Sequence, residues 1–194
     1  LLNQKLLDVE HQARTELELK VHERTAQLRN TMRELEQANR KLASLSLNDA
    51  LTGLYNRRHM DNLLPELCRE ARRTGNPLTL ALIDADHFKR VNDTWGHDFG
   101  DQCLKQIAGI LDEHVKRPRD VAIRFGGEEF ALLLPGNNLE GARTLCLSIL
   151  KAMRETALIA PDKKPFHLTL SAGIAELGTG EEPSDLFRKA DEAL

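Results

Sequence analysis

The stretch Val121-Ala122-Ile123-Arg124-Phe125-Gly126-Gly127-Glu128-Glu129-Phe130-Ala131-Leu132-Leu133-Leu134 decides the fold class. Two short apolar runs flank a double glycine. They read as strands over 121–125 and 130–134, joined by a four-residue hairpin centred on Gly126-Gly127. A hairpin means at least one antiparallel pair. Elsewhere helices and strands are interspersed, so the pattern favours a mixed α/β or α+β sandwich over a doubly wound parallel sheet.

Upstream of the hairpin, residues 57–72 read as a helix, 78–84 as a short apolar strand, and 100–117 as an amphipathic helix with Leu104, Ile107, Ala108 and Leu111 on one face. Downstream, 139 to about 156 is helical, 167–175 is a strand with a glycine near its end, and Ser184 is placed to cap a last helix. Asn48 and Asp49 supply turn chemistry, and Gly53 is the first glycine of the chain. The globular domain is therefore expected over 49–194.

Residues 1–48 have a different texture: charged, helix-favouring and free of glycine and proline. Apolar positions recur at Leu2, Leu6, Val9 and Ala13, and again at Leu28, Met32, Leu35 and Leu42, with Asn39 on the same seam. Ala13, Leu17 and Val21 step by four between them, which reads as a stutter. A helix of this length, about 70 Å at 1.5 Å per residue, cannot bury its stripe alone. Pairing with a second copy as a parallel coiled coil buries it, and Asn39 would favour two strands in one register. A solvated helix, or one packed on the following domain, is the alternative.

Composition bounds the function. The 194 residues are 41% hydrophobic and 29% charged, with net charge −3 and a pI near 6.2. That is ordinary globular composition without the basic balance of a nucleic-acid binder. Cys68, Cys103 and Cys146 are odd in number, form no CxxC pair and lie in apolar helical patterns. They predict buried reduced thiols rather than a disulfide framework or a zinc site. No run is long and apolar enough for a membrane helix, and no signal peptide is visible. The chain starts without Met, and the helical pattern still runs at Leu194. It reads as a piece of a longer protein, with a sensor or membrane domain expected upstream.

Two acidic pairs carry the candidate chemistry. Asp84-Ala85-Asp86 closes an apolar strand, where a carboxylate is costly unless solvated, paired or bound to a metal. Glu128-Glu129 sits on the hairpin, where adjacent acids repel. Mg²⁺ takes one or two carboxylates plus substrate phosphates, so a shared cation would relieve both pairs if the strand end abuts the hairpin. The glycines would let the backbone approach a substrate closely. Taken singly, each pair also reads as a solvated turn.

In combination these residues resemble the GGDEF family of diguanylate cyclases. Asp49-Ala50-Leu51-Thr52-Gly53-Leu54-Tyr55-Asn56-Arg57-Arg58 looks like its opening motif. Asp84-Ala85-Asp86-His87-Phe88-Lys89-Arg90-Val91-Asn92-Asp93 is similar to its first metal and nucleotide segment, and Thr94-Trp95-Gly96-His97-Asp98-Phe99-Gly100-Asp101 to the segment after it. Arg124-Phe125-Gly126-Gly127-Glu128-Glu129-Phe130 is its signature in the GGEEF form. The resemblance covers 49–194. It implies a fold like the nucleotidyl cyclase and polymerase palm: a central sheet containing antiparallel strands, flanked by helices. The activity implied is condensation of two GTP into cyclic di-GMP in the cytoplasm, by a homodimer using two Mg²⁺ per active site, with Mn²⁺ as an alternative.

The resemblance also implies roles. Asp84, Glu128 and the carbonyl of Ala85 hold the metal. Asn92 and Asp101 read guanine, an Asp accepting from the N1–H and amino group while an Asn amide donates and accepts. Lys89, with backbone amides around His87 and Phe88, holds phosphate. Glu129 helps activate the attacking 3′-hydroxyl. Arg124 buttresses the acidic turn, and Gly126 and Gly127 shape it. Arg117 and Asp120 match a product-inhibition site, RxxD, although Ser148 stands where the family often adds a second arginine. Residues 187–194 resemble the start of the final helix, whose later Lys and Arg grip the triphosphate. His97 is expected to be a satisfied structural histidine and Trp95 a packing residue. A catalytically silent domain that senses GTP or cyclic di-GMP is the alternative reading.

Overall fold

The computed structural model describes residues 20, 24–25, 27–33 and 47–194. The chain divides into two units, Leu1–Ser46 and Leu47–Leu194. In the first, residues 27–33 are helical, with Leu28 and Met32 of the expected stripe 63% and 54% exposed. The other stripe positions, Leu2, Leu6, Val9, Ala13, Leu17, Val21, Leu35, Asn39 and Leu42, lie outside the described residues. No described helix is long and apolar enough to cross a membrane.

In the second unit the elements run β1 (Tyr55–Asn56), α1 (Arg57–Thr74), β2 (Leu78–Ala85), α2 (Phe88–Trp95), α3 (His97–His114), β3 (Val121–Gly126), β4 (Glu129–Pro135), α4 (Leu139–Glu155), β5 (Leu158–Ile159), β6 (Pro165–Phe166), β7 (Leu170–Glu176) and α5 (Pro183–Glu192). One mixed sheet has the order β1-β3-β4-β2-β7. β1 runs parallel to β3, and the remaining neighbours are antiparallel. The short pair β5–β6 stands apart.

The sheet is the middle layer because both its faces are apolar. Side chains alternate across a strand. On β2, Leu78, Leu80 and Leu82 pack with Met60, Leu64, Leu67 and Cys68 of α1 and with Leu186 and Ala190 of α5. Ala81, Ile83 and Ala85 pack with Phe99, Leu104, Ile107 and Leu111 of α3 and with Ile149 and Met153 of α4. β4 divides in the same way, Ala131 and Leu133 against Phe130, Leu132 and Leu134. Two buried faces explain why these strands read as unbroken hydrophobic runs. All three cysteines are buried thiols, with Cys103 and Cys146 pushed up to about 11 by burial.

Three local expectations change. The hairpin connection is the pair Gly127-Glu128 rather than four residues, because β3 and β4 extend to Gly126 and Glu129 around a bulge after Arg124. Gly127 has φ +50°, a left-handed turn that suits glycine. The helix expected from residue 100 starts at His97, after Gly96 at φ 83°, ψ 167°, and a separate helix precedes it. Ser184 does not cap α5. Pro183 is the first helical residue, and Glu182 before it donates its N–H to Asp185 Oδ2 at 3.1 Å.

Candidate active site

The site is assembled at one end of the sheet. Asp84, the next-to-last residue of β2, is paired across the strands with Glu129 of β4 on one side and Ser171 of β7 on the other. The Ala85 N–H donates to the Glu128 carbonyl at 3.3 Å, which lays the hairpin turn beside the strand end. Asp84 and Glu129 are thus cross-strand neighbours, with the turn that carries Glu128 beside them. Burial pushes the Asp84 carboxyl above its ordinary value, and the charges of Glu128, Glu129 and Asp86 push it further in the same direction. A strand-end carboxyl whose ionised form is disfavoured by burial and by neighbouring negative charge is suited to a cation.

Asp86 adds its charge to that end of the sheet but has hydrogen-bond partners of its own. Its carboxylate turns to β7 and its approach, accepting from Thr169 Oγ1 and Ser171 Oγ at 2.6 Å each, while its N–H donates to the Thr169 carbonyl at 3.0 Å. Sequence reading missed Thr169 and Ser171. Their two-residue spacing, which places both side chains on one face of an extended segment, is the signal that points to them.

The hairpin is braced from below. Arg124 donates from Nε and Nη2 to the Gly127 carbonyl at 3.1 and 2.8 Å, and from Nη1 to Asp49 Oδ1 at 3.0 Å. Asp49 also accepts from the Thr52 N–H at 2.9 Å and its hydroxyl at 2.7 Å. Burial pushes Asp49 up. The Thr52 hydroxyl, the Arg124 guanidinium and the Thr52 N–H together outweigh it and hold the carboxyl below its usual value.

Beyond Asp84 the chain turns sharply. His87 adopts a left-handed conformation, φ 57°, ψ 29°, immediately before α2. A non-glycine residue there stores strain of the kind found at ligand clamps. No side chain caps α2; the Arg90 N–H donates to the His87 carbonyl at 2.8 Å, and the N–H groups that precede it at a helix start are of the kind that suits an anion. Phe88 is buried, and Lys89 projects into solvent. Farther along α2, Asn92 lies against Gly100 in the first turns of α3, with Asp101 next in the chain.

Trp95 packs edge-on against Phe99 and Phe166, at ring separations of 5.4 and 4.8 Å. His97 does not behave as a satisfied structural histidine. It stands exposed as the first residue of α3, where the chain leaves the Gly96 turn.

Arg117 and Asp120 sit in the turn between α3 and β3, closed by the Asp120 N–H donating to the Arg117 carbonyl at 3.0 Å. Asp120 Oδ1 is buried and is the one such side-chain atom among the described residues with no hydrogen-bond partner. Burial pushes its carboxyl up, and Arg117 holds it back. Arg119 is turned away, paired with Glu70 on α1.

Among the described residues no three or more His, Cys, Asp or Glu side chains gather as a metal cluster. The donor set is the Asp84–Glu128 carboxylate pair with backbone carbonyls nearby. That suits Mg²⁺, which fills its shell with water and phosphate oxygens, and is too sparse for a structural zinc. A cavity of about 560 Å³ lined by Arg72, Asn76, Glu176 and Gly178 holds none of these groups, whereas one of about 360 Å³ beside the site is lined by Asp86, His87, Arg90 and Thr169.

A family described as "Diguanylate cyclase, GGDEF domain" matches residues 46–194. The response regulator PleD of Caulobacter vibrioides is 38% identical over 152 residues, 77% of this chain and 33% of PleD. The diguanylate cyclase DgcP of Pseudomonas aeruginosa is 41% identical over 152 residues, 77% of this chain and 22% of DgcP. The chain thus spans a third or less of these curated relatives. Among solved structures, the coiled coil and GGDEF domain of DgcB from Caulobacter crescentus, in complex with c-di-GMP, aligns with TM-score 0.73 and 32% identity over 91% of both chains.

Proposed function

The chain belongs to the GGDEF family, and on that footing we propose that it is a diguanylate cyclase, condensing two GTP into cyclic di-GMP with release of two pyrophosphates. The observation that carries the reading is the meeting of Asp84 with Glu128 and Glu129 where the hairpin turn hydrogen-bonds to the end of β2.

Each domain binds one GTP. Asn92 and Asp101 read the guanine edge, and Lys89 with the first N–H groups of α2, around His87 and Phe88, holds the phosphates. Asp84, Glu128 and the Ala85 carbonyl hold Mg²⁺, or Mn²⁺ in its place. When bound, the metal neutralises triphosphate charge and acidifies the attacking hydroxyl. Glu129 accepts the proton of the 3′-hydroxyl of the GTP on the facing domain. That oxygen bonds to the α-phosphorus as the bond to the β-phosphate oxygen breaks, and pyrophosphate leaves. The same exchange in the other direction closes the ring. The protein supplies position and charge.

Two half-sites must meet, so the reading includes a homodimer joined through residues 1–48, which raises the local concentration of the second domain toward the millimolar range. A sensor or membrane domain upstream would set the register of that helix, and GTP as substrate places the reaction in the cytoplasm. Arg117 and the unpartnered Asp120 form a site for the product.

The test is turnover: protein, Mg²⁺ and GTP, analysed for cyclic di-GMP and pyrophosphate. Product formation that falls at least about 100-fold in Glu129→Ala, the scale of a lost general base, supports the enzyme. Retained GTP or cyclic di-GMP binding without turnover makes the chain a sensor instead. Neither binding nor turnover ends the reading.

A further inference from the structure

Resting on the reading of Asn92 and Asp101 as the guanine contacts, we infer that Gly100 is a positioning residue: the absent side chain at 100 gives the Asn92 carboxamide the position from which it reads the base. Gly100 is the fourth residue of the 18-residue helix α3, where glycine is the poorest choice short of proline. Its backbone does not demand glycine, since it is not among the residues with positive φ. The space does. A Cβ on Gly100 would stand 2.0 Å from Asn92 Oδ1, 3.1 Å from its Cγ and 3.2 Å from the Phe88 ring. Gly109, in the same helix, has nothing within 4 Å of the same construction. Of the two glycines in α3, only Gly100 is filled by a neighbour, and the neighbour is the group assigned to guanine.

No hydrogen bond to a described residue orients the Asn92 carboxamide. Its position is set by packing into the Gly100 notch, one residue from Asp101. An alanine at 100 forces the amide oxygen to move by about 1 Å or more, because real Cβ contacts below 3.0 Å essentially never occur. Hydrogen bonds weaken steeply with misalignment, so a displacement of that size removes most of what the contact contributes to binding. The Asp101 carboxylate keeps its place, so the loss falls on the Asn92 contact.

The experiment is calorimetric binding of a nonhydrolysable α,β-methylene analogue of GTP with Mg²⁺ to the full chain, its Gly100→Ala, Asn92→Ala and Gly109→Ala variants, and the Gly100→Ala/Asn92→Ala double variant. Gly100→Ala is expected to weaken binding roughly ten- to hundredfold, the cost of one lost buried hydrogen bond or somewhat more, and Gly109→Ala to leave it unchanged. Because Gly100 acts through Asn92, the double variant binds no more weakly than Asn92→Ala. It also lacks the overlapping oxygen, so it keeps the comparison on a folded protein, checked by circular dichroism. Gly100→Ala binding like the wild type, or losses that add in the double variant, overturn this inference alone. A wild-type chain that does not bind the analogue overturns the guanine reading and this inference with it.

Discussion

Arg124 and Asp49 are joined at 3.0 Å across 75 residues of sequence, and the same guanidinium donates twice to the Gly127 carbonyl at the tip of the acidic hairpin. The turn that opens the globular unit and the turn that carries Glu128 are therefore held by one planar cation. Both side chains are largely buried, 15% and 24% exposed. Arg124→Ala strands two acceptors and is expected to lower unfolding free energy by about 1–3 kcal/mol, read from urea denaturation. Arg124→Lys recovers only part of this, since one ammonium cannot span the fork. Equal stability of Arg124→Ala and wild type would show that the brace contributes nothing.

Asp49 gives that brace a pH dependence of definite sign. Its carboxyl is pushed up by burial but held below 3.8 on balance by Thr52 and Arg124. A carboxyl depressed in the folded state adds stability that is complete above its unfolded value and disappears as pH falls through the folded one. The stability difference between wild type and Asp49→Asn should be constant above about pH 5 and shrink below pH 4. A difference that grows on acidification would contradict the assignment.

Asp84 has the opposite sign. Burial and then the facing Glu128, Glu129 and Asp86 raise its carboxyl, so its ionised form destabilises the metal-free fold. The penalty sets in as pH rises past 3.8 and is complete above the raised value. Asp84 and Glu129 are direct cross-strand partners, and like charges so placed cost roughly 0.2–1 kcal/mol. Asp84→Asn should melt slightly higher than wild type at neutral pH without divalent cations, and lack the stabilisation by Mg²⁺ and GTP together that is expected of wild type. A variant that melts lower while keeping the ligand effect would remove Asp84 from the metal site.

What the sequence disclosed follows from what is local. β2 and β4 were legible because both faces are buried and the runs are unbroken, and the hairpin because two glycines interrupt it. β1 was not: two residues, Tyr55 and Asn56, become a strand only by pairing with Ile123 and Arg124, and nothing within four residues signals that. The break between α2 and α3 was hidden because Gly96, His97 and Asp98 look like a continuing loop. Asp84 and Glu128 announced themselves as unneutralised acids. The hydroxyls that turn Asp86 away lie 83 and 85 residues further on, so the division of labour between the two aspartates is a product of tertiary structure.

The orphaned oxygen of Asp120 supports the last prediction. A buried polar atom without a partner costs about 1–3 kcal/mol, and a water, an ion or a ligand that supplies the missing donor recovers part of that cost. Arg117 closes the same turn and contributes five N–H groups suited to phosphate and to the Hoogsteen edge of guanine, while Asp120 offers an acceptor for a guanine amino group. Cyclic di-GMP binding, measured by calorimetry without GTP, should weaken at least about tenfold in Arg117→Ala and be comparably weakened in Asp120→Ala. Arg119→Ala should retain it, because Arg119 is committed to Glu70. In that variant binding stays while the surface pair is lost, a change worth under about 1 kcal/mol to the fold. Binding that is unaffected by Arg117→Ala, or lost equally in Arg119→Ala, would leave the unpartnered carboxylate without a ligand to explain it.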